Sequence, residues 1–262
     1  MKSHSGAHID PHWSTAGLRL AILCDRPAAS QEVHLFRPLR RLRRSRECAL
    51  AIWSEEEALL ESAAHQEWFG GVLDDLRPHG VILSRFGEAS AERVIAAAQG
   101  KGVPVVTHLD DFLLEVPKEL GPEKVRQHMR PERMSAPTAG LADADLLYVS
   151  TSTLAARLKR EGFAAPVVVP ELQSCADADE IISPSRIDID KSRPPRIGYQ
   201  GTGSHVHDLR MIAPALIEVM HKRPKTTLTL FGTVRAPEEL APLGSRLTHV
   251  PPAGSYDQFL KQ

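Results

Sequence analysis

The chain has 262 residues, 42% of them hydrophobic and 25% charged, with a formal net charge of −1. That length allows one large domain or two of ordinary size, and the composition is that of a soluble globular chain with a full core. The near-zero charge excludes a global field for nucleic acid, the scattered Cys24, Cys48 and Cys175 match no zinc or disulfide spacing, and no apolar run approaches the ~20 residues that span a bilayer.

Residues 1–16 lack the apolar stretch of a secretory signal and read as a flexible tail. Leu18 to Cys24 (LRLAILC) is a first strand, and a helix from about Ser30 to Arg44 carries Val33, Phe36, Leu39 and Leu42 as its apolar positions. Ala49 to Trp53 is a second strand, followed by helical material through Leu76. Gly80 to Ser84 (GVILS) is a third strand, Ala89 to Gln99 a helix, and Val103 to Leu109 a fourth strand ending at Asp110 and Asp111. A proline-punctuated stretch leads to a short helix before Asp143, then a strand (Leu146 to Ser150), a helix (Thr153 to Arg160) and a sixth strand (Val167 to Val169). Near-continuous apolar strands alternating with amphipathic helices imply a parallel sheet covered on both faces.

From Ser174 to Pro195 the composition turns polar, acidic and proline-bearing, which is linker composition. The αβ rhythm restarts at Arg196: a strand (Ile197 to Gln200), a glycine turn (Gly201, Thr202, Gly203), and a helix with Leu209, Ile212, Ala213, Leu216 and Ile217 on one face. Strands at Thr227 to Phe231 and near Leu247 to Val250 follow, and a last helix is expected over Tyr256 to Gln262. The expected fold class is α/β with two Rossmann-like domains: 17–173, a linker at 174–195, and 196–262, the second cut short.

The turn at Gly201 invites two standard tests. A dinucleotide fingerprint needs a third glycine, where Val206 stands, and an acidic residue after the next strand, where Gly232 and Thr233 stand. A P-loop string occurs nowhere in the chain. A phosphate site remains, because a helix N-terminus offers unpaired N–H groups and glycine lets a ligand approach the backbone. Tight strand–helix packing explains such glycines equally well.

Taken together, HLDDFLLEVP (108–117), VSTSTLAARLKREG (149–162), VVVP (167–170) and IGYQGTGSHVHDLRMIAPAL (197–216), in that order, resemble the GT-B glycosyltransferases, in particular bacterial family-4-like enzymes. The stretch VILSRFGEASAERVIAAAQGKGVPVV (81–106) also fits. The resemblance implies two facing Rossmann-like domains, with a saccharide or lipid-linked acceptor mainly against the first and a nucleotide-sugar donor mainly against the second. It implies hexose transfer in polysaccharide biosynthesis, a nucleotide sugar as co-substrate and no metal.

Two departures qualify it. Glu171 stands where the family usually has asparagine, and the family's donor domain continues past the position of Gln262, supplying lysine and glutamate contacts to the nucleotide. The second unit is therefore expected to be C-terminally incomplete, to lean on the first domain, a partner chain or another copy, and to transfer poorly by itself. The alternative reading is a non-catalytic, truncated GT-B-like domain that binds nucleotide or a protein partner.

Asp110 and Asp111 end an apolar strand, where ligands of open α/β sheets bind. A carboxylate there can orient or deprotonate an acceptor hydroxyl, or else cap the following segment. Alternation along the strand puts His108 and Asp110 on one side and Asp111 on the other. In the glycine turn, Gly201, Thr202 and Gly203 would admit the donor phosphates, with His205 donating to them and Asp208 either belonging to the site or serving as a helix-start charge. Arg37, Arg40, Arg41 and Arg44 fall at helical spacing as one basic stripe, a solvated face by default and otherwise a contact for anionic membrane. With so few aromatics beside them, nucleic acid is not expected. The cysteines fit a reducing, cytoplasmic setting, peripheral at the inner membrane face if the stripe meets lipid.

Overall fold

The computed structural model describes residues 7–262 except 66, 88–89, 117, 119–120, 171–193, 255–257 and 259–262. Glu171, the expected linker up to residue 193 and most of the expected last helix lie outside the described residues. The chain divides into two compact units, residues 1–180 and 181–262.

The first unit is built on a seven-stranded sheet in the order β1-β3-β2-β4-β5-β6-β7. The strands are β1 (His8–Ile9), β2 (Leu18–Cys24), β3 (Cys48–Ser54), β4 (Gly80–Ser84), β5 (Val105–Leu109), β6 (Leu146–Val149) and β7 (Val167–Val168). All neighbours pair in parallel except β1, which runs antiparallel to β3. The chain steps from β2 outward to β3, then back past β2 to β4, so the order reverses between β2 and β4. A crevice opens at the carboxyl ends of the strands at such a reversal.

Both faces of the sheet are covered, which is why the strands read as unbroken apolar runs. On one face Ala21, Leu23, Ala51, Trp53, Val81 and Leu83 pack against α3 (Glu55–Ala64), α4 (Trp68–Leu76) and α5 (Ala91–Gly100). On the other, Ile22, Cys24, Leu50, Ile52 and Ile82 meet Leu35 and Phe36. These two belong to a continuous helix over residues 29–44, formed by α1 (Ala29–Gln31), a wider π turn (Glu32–Phe36) and α2 (Arg37–Arg44). The starts of α3 and α8 (Ser152–Arg160) are set locally. Ser54 Oγ accepts from Glu57 N–H while the Glu57 carboxylate accepts from Ser54 N–H at 2.6 Å, and Thr151 Oγ1 accepts from Leu154 N–H at 3.1 Å.

Two sequence expectations are corrected in this unit. Residues 7–16 are no flexible tail: β1 pairs with β3, Trp13 is buried and donates its Nε1–H to Leu76 O at 2.8 Å, and the buried Asp10 carboxylate binds Arg43 and accepts Leu50 N–H. A two-residue strand around a buried aspartate carries no apolar periodicity, so it is invisible to pattern reading. Nor is the arginine stripe uniform. Arg37 is buried, 3.8 Å from Glu32, while Arg41 and Arg44 are exposed and Arg40 is intermediate. All four positions lie in α2, so their helical spacing holds; Arg37 follows the buried Leu35 and Phe36 at the start of α2, and burial falls off along the later turns.

The second unit has a parallel three-stranded sheet in the order β10-β9-β8, with β8 (Arg196–Gly201), β9 (Thr227–Gly232) and β10 (Leu247–Val250). Helix α9 (Val206–Lys222) covers it with Leu209, Ala213 and Met220, all fully buried against Leu228 and Leu230. Ile212, Leu216 and Ile217 pack at the margin of the same core, so the face read from the helical spacing is the buried one.

Candidate functional site

In the first unit, side chains from four strand ends and one helix converge at the carboxyl edge of the sheet. Register explains the first row. Cys24 pairs with Ser84, Ser84 with His108, and His108 with Tyr148, so these four stand abreast across β2, β4, β5 and β6. One residue beyond β2 and β4 come Asp25 and Arg85, and one beyond β5 comes Asp110. Arg85 adopts a left-handed φ of 53°, which turns its side chain along the edge.

Arg85 is the hub. Its Nη1 donates to Asp110 and, at 3.0 Å, to Asp111, and its Nε lies 3.6 Å from Asp25. Ser30, near the start of the 29–44 helix, donates to the other Asp110 oxygen at 2.5 Å, and Ser150 donates to the Asp110 carbonyl at 2.9 Å. Burial raises the Asp110 pKa, but the Ser30 hydroxyl and the Arg85 guanidinium outweigh it and hold the carboxyl below its ordinary value. Burial opposes the charge on Arg85 as well, yet Asp110 and Asp111 leave its pKa raised. The result is an ionised, acceptor-only carboxylate fixed on both oxygens, with Asp111 far more open to solvent than Asp110.

Beneath this rim runs a hydrogen-bonded chain. The Gln31 side chain, fully buried, accepts from Ala28 N–H at 3.3 Å and donates to Asp25 at 3.0 Å and to Ser84 Oγ at 3.1 Å. Ser84 Oγ then lies 2.8 Å from His108 Nδ1. The His108 ring packs between His34 (centroids 4.9 Å apart) and Tyr148 (5.1 Å), whose hydroxyl donates to His34 O at 2.9 Å. Burial first, and His34 second, push the His108 pKa down to about 4, and burial also lowers His34; both rings are neutral near pH 7. Among the described residues, His108 Nε2 and His34 Nδ1 are buried and have no hydrogen-bond partner.

The second unit places its five predicted residues together at one turn. Gly201 ends β8, Thr202 follows, a 3-10 turn spans Gly203–His205, and α9 begins at Val206. Gly201 O accepts from Thr233 and Val234 N–H, each at 3.1 Å, and Gly203 N–H donates to Thr233 Oγ1 at 3.2 Å. His205 Nδ1 lies 3.0 Å from Asp208 Oδ2, both side chains being exposed. The two glycines differ in why they are there. A Cβ on Gly201 would lie 2.9 Å from His205 Cβ, so packing alone requires glycine. A Cβ on Gly203 would meet nothing nearer than Thr233 O at 4.0 Å, and its φ is not in the left-handed range, so nothing among the described residues requires glycine there.

Asp110 and Asp111 stand at the end of β5 as read from the sequence, but Asp111 does not face away from Asp110: beyond the strand's last residue both carboxylates meet the Arg85 guanidinium. Asp25, Ser30, Gln31, His34, Ser84, Arg85 and Tyr148 were not singled out. The usable signal was Asp25 and Arg85, each one residue past an apolar strand, as Asp110 is. Among the described residues no group of three or more His, Cys, Asp or Glu is placed to hold a metal ion, and no helix is long and apolar enough to cross a membrane.

These two Rossmann-like units define an α/β fold of the GT-B class. Among solved structures, the chain is similar to HepE of Anabaena in complex with UDP-glucose, with a TM-score of 0.55 at 13% identity over 93% of this chain and 71% of that one. It is also similar to a putative UDP-N-acetylglucosamine 2-epimerase from Listeria monocytogenes, with a TM-score of 0.51 at 13% identity over 92% of this chain and 70% of that one. At such identity the likeness establishes the fold. No protein-family model matches the chain, and no curated protein matches it at a significant level.

Proposed function

We propose that this protein is a nucleotide-sugar-dependent glycosyltransferase that moves a hexose to a saccharide or lipid-linked acceptor. The observation that carries the reading is the unexplained openness at Gly203. It stands at the mouth of a strand–turn–helix unit, in the half of the fold where GT-B enzymes take their donor, and its bare backbone leaves room for a diphosphate. Thr202 and Ser204 (hydroxyls 2.7 Å apart) and His205 flank that opening with hydrogen-bonding groups. Asp208 fixes the His205 ring from the Nδ1 side, which leaves Nε2 as the atom for a phosphate oxygen.

The carboxyl edge of the first unit suits the other substrate. Asp110 is ionised and anchored, so it can accept a hydrogen bond from an acceptor hydroxyl and orient it for attack on the sugar carbon. One fold neighbour supports the donor class, since HepE has been crystallised with UDP and with UDP-glucose.

The test is a thermal-shift titration of the 262-residue chain with UDP, GDP and their hexose conjugates, followed by measurement of nucleotide release with a mixed saccharide pool. A shift that Gly203→Val abolishes while the far-UV spectrum stays unchanged is the expected result. No shift with any nucleotide sugar removes the reading. Nucleotide binding with no transfer or hydrolysis favours a non-catalytic nucleotide-binding domain instead.

A further inference from the structure

We infer that the carboxyl edge of the first unit selects saccharides whose bound end is neutral or carries an amino group, and discriminates against phosphorylated or carboxylate-bearing ends. The inference rests on the acceptor role assigned above and adds its charge class.

Charge and hydrogen-bond capacity are its two supports. At the rim, Asp25, Asp110 and Asp111 share one guanidinium, that of Arg85, which leaves an excess of two negative charges. Arg85 Nε and Nη1 already face carboxylates, so the cation nearest the site is committed rather than open to an oxyanion. The next strand end extends the same sign. Glu57 caps Ser54, and Glu55 accepts from Gly87 N–H beside β4. Both act on the Cys24 thiol along with Asp25.

The second support lies under the rim. Ala28 N–H fixes the Gln31 amide, whose NH2 donates to Ser84, and the Ser84 hydroxyl lies 2.8 Å from His108 Nδ1. His108 Nε2 is a fully buried nitrogen with no partner among the described residues, within the field of Asp110 and Arg85. His34 Nδ1 is buried and unpaired beside it. A hydroxyl both donates and accepts, so it can pair with a ring nitrogen in either tautomer. An oxyanion only accepts. A polyol thus satisfies the histidines and the carboxylates together, and an ammonium group adds attraction to Asp111, the most exposed of the three carboxylates.

Ligand-observed NMR on the full chain, with saccharides alone and no nucleotide, decides the matter. The probes are glucose, glucosamine, glucuronate and glucose 6-phosphate at equal concentration. Glucosamine and glucose are expected to bind at least about tenfold more tightly than the two anions, equivalent to about 1.4 kcal/mol. Asp111→Lys cancels the excess charge and should bring the four probes within about threefold of one another. Equal or tighter binding of the anions by the unaltered chain overturns the inference, as does binding of none of the four. Because no nucleotide is present, these outcomes are read independently of whether the Gly203 turn takes a donor.

Discussion

At the scale of single residues, two aspartates link structure to pH. Asp10 is buried and Asp110 nearly so, and burial alone would raise both carboxyls. The Arg43 fork (2.6 and 2.8 Å) and the Leu50 N–H reverse this for Asp10, as Ser30 and Arg85 do for Asp110. Both folded values lie below the ordinary carboxylate value, which is ~3.9 for an unfolded aspartate. The stability they contribute is therefore fully present above that value and is lost as pH falls through the folded values. Urea midpoints measured from pH 7 to pH 3 should hold to about pH 5 and then drop, and Asp10→Asn should flatten the drop. The same variant should cost about 1–3 kcal/mol at pH 7, since it leaves Arg43 without its anion and leaves one oxygen where Arg43 and Leu50 now use two. A midpoint that rises on acidification would contradict the assignment.

At the scale of elements, the β8–α9 turn depends on a glycine that lies outside the turn, at the end of β9. Gly232 has φ 100°, and a Cβ there would lie 2.4 Å from Gly201 O, the carbonyl that accepts from Thr233 and Val234. Gly232→Ala should destabilise the second unit by more than about 2 kcal/mol in chemical denaturation, whereas Gly203→Val should leave it intact. Along the 29–44 helix, burial divides the arginines. Arg37→Glu should destabilise the fold, because it sets a second carboxylate against Glu32 in a buried position. Arg41→Glu with Arg44→Glu should leave stability within about 0.5 kcal/mol, and this pair is the one to test for release from anionic vesicles by sedimentation. What the sequence disclosed follows the same physics. Leu18–Cys24, Gly80–Ser84 and Leu247–Val250 were readable to the residue because apolar runs between turn signals mark strands inside a parallel sheet. The Arg85 hub was not, because it joins residues 25, 30, 85, 110 and 111, and spacing along a chain does not say which strand ends become neighbours.

At the scale of the whole molecule, the function proposed above puts the two ligands in separate parts of a chain that divides into two compact units. A ligand stabilises the part that binds it, by about 2.7 kcal/mol at a hundredfold excess over Kd. Scanning calorimetry on the full chain should show a nucleotide sugar raising the transition of the second unit, and glucosamine raising that of the first. The transitions can be told apart with Gly232→Ala, which lowers the second. If nucleotide instead moves the transition that Asp10→Asn lowers, the donor has been placed in the wrong unit.

The short strand at His8–Ile9 has a consequence for how the protein behaves in concentrated solution. Behind it β3 runs CALAIWS, buried along almost its whole length, and Asp10 prolongs the cover by pairing its own N–H and carboxylate with Leu50. Stripped of that cover, β3 becomes an apolar strand with free backbone groups along one side, the template on which another copy can add. Deleting residues 1–16 should therefore yield a chain that scatters light and forms soluble oligomers at concentrations where the full chain stays monodisperse. Light scattering on the two chains at matched concentration measures the difference, and identical profiles would mean that β3 is protected by something other than residues 1–16.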